Sequence, residues 1–296
     1  LQGDWSSDVC SSDLMIENKY MCRDIWRFDL HRFGLWFASL AMVMASAPAA
    51  FAAPSGIMPH RAFYEMELGT AGQNANIQAI QGRSAFTLNR DCDGWLSGED
   101  YVIEFGGREG NLDRIVSRFS SWEADAGDKY SFDIAETSSY QGNQDFNGYA
   151  TIAADWADAY FSMTPETAIS LPQDTYFPMR HMMAILDHAR SGKKIFAASV
   201  FTGAEPDDAL LSTNTVIGSW NSQDQKDLLG GFAADGFWPV RVAYFKPESR
   251  SAEPEYEINY ALQPNGVIRH YEIDYGEFTI IAKMLKIETV DPPVCQ

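Results

Sequence analysis

The sequence predicts a mainly β protein: one antiparallel sheet that bends or closes like a barrel, with a single amphipathic helix laid against it. Three observations carry this reading. Apolar and polar residues alternate with period two through most of the body of the chain. No strand–helix–strand rhythm appears, so a parallel sheet has nothing to be built from. Only one stretch, residues 178–191, turns to helical spacing.

The first segments are not part of that fold. Read backwards into codons, DWSSDVCSSDL over residues 4–14 yields the string of a common sequencing-library adapter, so residues 1–14 are expected to be an adapter artefact. Translation is then expected to start at Met15 or Met21. Residues 15–52 carry Lys19, Arg23, Arg27 and Arg32, then the apolar run FGLWFASLAMVM, then small residues around Ala50-Phe51-Ala52. Charge, a short apolar core and a small-residue cleavage box form the layout of a secretory signal peptide. The apolar core is shorter than the roughly 20 residues a membrane-spanning helix needs. Export to the periplasm is the expectation. Residues 53–296 remain, a length that suits one large all-β domain.

Within that body, strands are predicted at residues 61–68, 77–89, 95–105 and 111–122. In KYSFDIAE, Tyr130, Phe132 and Ile134 share a face, with Ser131 and Asp133 between them. The helix comes next. FPMRHMMAILDHARSG places Met179, Met182, Ile185, Leu186 and Ala189 on one side, with Pro178 suited to the first turn and Gly192 to the stop. Further strands are predicted at 193–201, 211–220 and 238–246, with a helical turn conceivable at the start of DDALLSTNTV. EYEINYAL and HYEIDY then alternate around the turn QPNG, the first with Tyr256, Ile258, Tyr260 and Leu262 on one face. The last strand falls at 277–290. About twelve strands result.

Composition bounds the function. The chain carries a net charge of −19, and its body stays strongly acidic once the basic leader is set aside. Such a field repels nucleic acid and anionic membrane surfaces. Setting aside Cys10 and Cys22 leaves Cys92 and Cys295, about 200 residues apart. In an oxidising compartment two cysteines point to one disulfide, which in the chain-entropy model contributes on the order of 4–5 kcal/mol. Two buried thiols are the alternative. A structural metal site normally wants four ligands, so none is expected.

No catalytic motif stands out. There is no nucleophile elbow, no HExxH helix and no phosphate-cradling glycine loop. Ser191-Gly192-Lys193-Lys194 matches S-x-x-K but falls at a helix end. His181 and His188 lie two turns apart, roughly 10 Å, too far to share a metal, and are expected at the surface or an edge. Asp91-Cys92-Asp93-Gly94 begins like a calcium loop and lacks its later ligands. Asp207 and Asp208 are expected to be solvated. No cofactor is expected. Aromatic residues make up 13% of the chain; they either fill the interior of the bent sheet or line a cavity for an apolar ligand.

The stretches PHRAFYEMEL, IQAIQGRSAFTLNRDCDGW, FPMRHMMAILDHARSGKKIF, GFWPVRVAYF and INYALQPNGVIRHYEIDYGEFTIIAKMLKIE together resemble the EipB-like family of periplasmic envelope-integrity proteins. That resemblance implies a bent antiparallel β-spiral, similar to the periplasmic lipoprotein carriers LolA and LolB. It implies a disulfide between Cys92 and Cys295, and it carries over no catalytic residue. The expected function is therefore non-enzymatic: maintaining the cell envelope by holding a lipid or lipoprotein acyl chain in a concavity, or by docking envelope proteins. Met179, Met182, Ile185 and Leu186 are candidates for a cavity wall, since thioethers repack around variable chains. The alternatives are a filled scaffold and an envelope glycan or lipid hydrolase with a carboxylate pair.

Overall fold

The structure, a computed structural model, describes residues 56–291 and Cys295, apart from positions 74, 109, 111, 141, 164, 223–228 and 248. The expected adapter artefact and signal peptide lie outside the described residues.

Eight strands run in succession: β1 (His60–Ala71), β2 (Ile77–Arg90), β3 (Gly94–Gly107), β4 (Leu112–Ala124), β5 (Lys129–Ser138), β6 (Gly142–Ile152), β7 (Ala157–Phe161) and β8 (Thr167–Ser170). The helix α1 (Pro178–Arg190) follows, then β9 (Ile195–Phe201), β10 (Leu210–Ile217), β11 (Trp238–Phe245), β12 (Tyr256–Leu262), β13 (Ile268–Asp274) and β14 (Phe278–Glu288). All fourteen strands belong to one antiparallel sheet in the order β8-β7-β6-β5-β4-β3-β2-β1-β14-β13-β12-β11-β10-β9. Each neighbour in that order is also the neighbour in sequence, except that β1 pairs with β14. Among the described residues β8 and β9 remain edges, so the sheet is not closed.

The strands form where alternation predicted them, with ends displaced by a few residues. The difference lies in residues 142–170, where the structure adds β6, β7 and β8. Their inner-face positions hold Phe146 and Phe161, but the others, Gln144, Gly148, Ala150, Ala157 and Ala159, are too small or polar to show as an apolar period. At Gly148 a Cβ would lie 2.2 Å from the Tyr160 carbonyl oxygen and 2.4 Å from the Phe132 ring, so neighbouring rings already occupy the space. DDALLSTNTV begins with a turn rather than a helix and enters β10 at Leu210. The QPNG turn closes as expected, Gly266 N–H donating to the Gln263 carbonyl and Gln263 N–H to that of Val267.

The helix starts on Pro178, which has no N–H to leave unpaired. It stops where the Ser191 and Gly192 N–H groups donate back to the Asp187 and Ala189 carbonyls and Gly192 takes φ 74°. Ile185, Leu186 and Ala189 are buried while Arg180, Asp187 and Arg190 face solvent. His181 departs from the surface position expected of it. It is 5% exposed, its ring 5.7 Å from Phe196 and 6.3 Å from Tyr176.

Three apolar clusters hold the fold together. Under α1, Met179, Ile185 and Leu186 pack with Leu88, Trp95, Val240 and Leu262. Around β1 and β14, Ala62, Tyr64 and Met66 pack with Ile280, Ala282 and Met284. The third joins Tyr130 and Phe132 of β5 to Phe177 and to Phe201 of β9, with ring centroids 5.1 Å apart for Tyr130–Phe177 and 5.8 Å for Phe132–Phe201. Strands far apart in the sheet order touch there, so the sheet bends back on itself.

Candidate functional site

The bend gives the sheet an inner face, and strand register decides which side chains reach it. From β5 the inner residues are Tyr130, Phe132, Ile134 and Glu136; from β12 they are Tyr256, Ile258, Tyr260 and Leu262. Toward the clusters this face is sealed. At their margins it is covered less: Phe119 and Ile134 beside one cluster, Tyr244 and Tyr260 beside another, and Tyr256, Ile258 and Ile273 stay half-buried. Burial is still the leading influence on the phenols of Tyr244, Tyr256 and Tyr260 and pushes each pKa up. These side chains are desolvated without being fully covered.

One end of the inner face is set by α1, whose N-terminus is held from a distance. The Glu123 carboxyl accepts the Met179 and Arg180 N–H groups, at 2.7 Å each, and so satisfies donors that no residue of the helix's own first turn caps. Glu123 is 2% exposed. Burial pushes its pKa up to about 7, against the opposing pull of the two N–H donors and of Arg180.

The residues singled out from sequence fall into two places. Met179, Ile185 and Leu186 are buried and Met182 half-buried, all in the cluster beneath α1. Cys92 and Cys295 are bonded to each other, their Cα atoms 5.5 Å apart. Ser191 Oγ donates to the Asp187 and His188 carbonyls, finishing the helix end. Asp208 pairs with Lys246 at 3.0 Å on the exposed surface. Among the described residues no group of three or more His, Cys, Asp or Glu is arranged to hold a metal, and no helix is long and apolar enough to cross a membrane. Sequence reasoning missed Glu123, whose partner helix lies more than fifty residues downstream.

The model of a family described as EipB-like matches residues 51–291. The chain belongs to the EipB-like family. One relative of this EipB-like chain is the cell envelope integrity protein EipB of Brucella abortus (strain 2308), 28% identical over 260 residues that cover 86% of this chain and 92% of that protein. Among solved structures it resembles the beta-barrel-like protein of domain of unknown function DUF1849 from Brucella abortus, with a TM-score of 0.74 and 26% identity. That likeness covers 80% of this chain and all of the other. The fold is thus one that this EipB-like chain shares with a crystallographically known protein described as beta-barrel-like.

Proposed function

We propose that this protein is an exported, periplasmic, non-enzymatic member of its family that supports the integrity of the cell envelope. It does so by holding the acyl part of a lipid or lipoprotein, or a segment of an envelope protein, against the inner face of its sheet. The observation that carries this reading is the run of half-buried aromatic and aliphatic residues on that face, at and beyond the margins of the clusters. The name of the Brucella abortus relative supports the envelope role, and the expected leader supports export.

A hydrolase would need two carboxyls about 5 to 10 Å apart across a cleft. The inner-face carboxyls raised by burial are Glu99 and Glu123. They lie on neighbouring strands four residues out of register, since Glu123 stands opposite Trp95, which separates them by about 13 Å along the strand. Both oxygens of Glu123 are moreover engaged by the helix. The holding function is tested by extracting protein purified from the periplasm with organic solvent and analysing the extract by mass spectrometry. A stoichiometric amphiphile is expected. Protein that carries none, and that does not take up the neutral probe Nile red, would remove the acyl-holding version.

A further inference from the structure

One row of the inner face differs from its neighbours. Register aligns Tyr64 with Ser84, Ser84 with Tyr101, Tyr101 with Ser117 and Ser117 with Glu136, a continuous line across β1 to β5. Every member bears a hydroxyl or a carboxyl. The row on one side is Ala62, Phe86, Glu99, Phe119 and Ile134; that on the other is Met66, Gly82, Ile103, Ile115 and Ser138. Apart from Glu99 and Ser138, a polar stripe therefore runs between apolar rows.

The stripe is only partly self-satisfied. The Tyr101 hydroxyl donates to Glu136 Oε2 at 2.9 Å, and the Tyr64 hydroxyl to the Ile268 carbonyl at 2.7 Å. Ser84 is 4% exposed, and its Oγ makes no well-aligned hydrogen bond, with the Glu99 carboxyl and the Tyr271 hydroxyl as the polar groups within its reach. A buried hydroxyl without a well-aligned partner is under-satisfied, and a ligand hydroxyl that enters the site can complete it. Among the described residues, no Lys, Arg or His occupies these three rows.

From this juxtaposition the geometry points to a head-group site: the stripe from Ser84 to Glu136, with Glu99 beside it, takes the hydroxyls of an uncharged, polyhydroxylated amphiphile, such as a glycolipid, whose tail lies along the apolar positions of the flanking rows. The assignment rests on the inner face being the ligand-holding surface. Carboxyl oxygens accept hydrogen bonds from sugar or glycerol hydroxyls, and tyrosine rings stack on their apolar faces. Fatty-acid carboxylates and phosphate head groups would meet like charge with no cation to offset it.

The test is titration of the purified full chain with decyl β-glucoside, decanoate and glucose, each below any micelle concentration, followed by calorimetry. The glucoside is expected to bind at least about tenfold more tightly than decanoate, the effect of one or two charge-assisted hydrogen bonds lost or gained. Glucose alone is expected to bind far more weakly. In Glu99→Gln, and separately in Glu136→Gln, the preference over decanoate should shrink several-fold while the melting temperature is held. The wild-type comparison stands even if a variant fails to fold. Decanoate binding as tightly as the glucoside would overturn this head-group assignment and leave the acyl-holding function intact. If neither amphiphile binds, both fall. Recovery of free glucose from the glucoside would replace holding by hydrolysis.

Discussion

Two buried ionisable side chains flank the start of α1 and pull stability in opposite directions with pH. Glu123 is raised by burial from the ordinary 4.5 to about 7, so the folded state binds its proton more tightly than the unfolded chain. The stability this confers is complete below about pH 4.5 and is lost as pH rises through 7. His181 is lowered by burial from 6.5 to about 4. Its contribution is complete above about pH 6.5 and is lost as pH falls through 4. Each shift corresponds to about 3 kcal/mol, so between pH 4.5 and 6.5 the two slopes largely cancel. Chemical denaturation at those two pH values should therefore find Glu123→Gln losing stability on acidification and His181→Asn losing it on alkalinisation. Parallel slopes in the two variants would refute the pairing. Neither residue announced itself in the sequence. A glutamate in a strand reads as solvent-facing, and a histidine in a helix reads as polar surface; only the long-range packing of α1 on β4 and β9 reverses both.

The helix itself was legible because thirteen residues give 3.6-residue spacing enough turns to show, with Pro178 and Gly192 marking its limits. Ile185 is 1% exposed beneath it. Replacing Ile185 with Asp buries an unpaired charge and should cost about 3–5 kcal/mol in urea denaturation; a variant that unfolds with the parent would show that α1 contributes little to the core. The strands β1–β5 and β9–β14 were legible by alternation of large apolar residues. β6–β8 were not, because Gly148, Ala150, Ala157 and Ala159 make room for rings that project from β5 and β9. Gly148→Ala should accordingly destabilise by about 1–3 kcal/mol through overpacking, whereas Gly231→Ala, with nothing within 4 Å of its would-be Cβ, should show no such loss. The polar stripe escaped notice for a related reason: Ser84, Tyr101 and Glu136 alternate just as outward-facing polar residues would.

Across the molecule, Cys92 and Cys295 join the turn between β2 and β3 to the segment beyond β14. Protein recovered from an oxidising compartment should show no free thiol at these positions, and Cys295→Ser should cost roughly 2–4 kcal/mol, read as a melting temperature several degrees lower. Two reactive thiols in native protein would remove the bond. The strand order has a further consequence, for the sequence of events in folding. Every pairing in the sheet is between consecutive strands except that of β1 with β14, so the two arms can each grow by local hairpins, and only the seam between them awaits the far end of the chain. Closing that seam carries nearly the whole loop-entropy cost of the topology. In a chain exported as proposed, the seam cannot close until β14 has emerged, and until then the sheet stays as two unjoined arms.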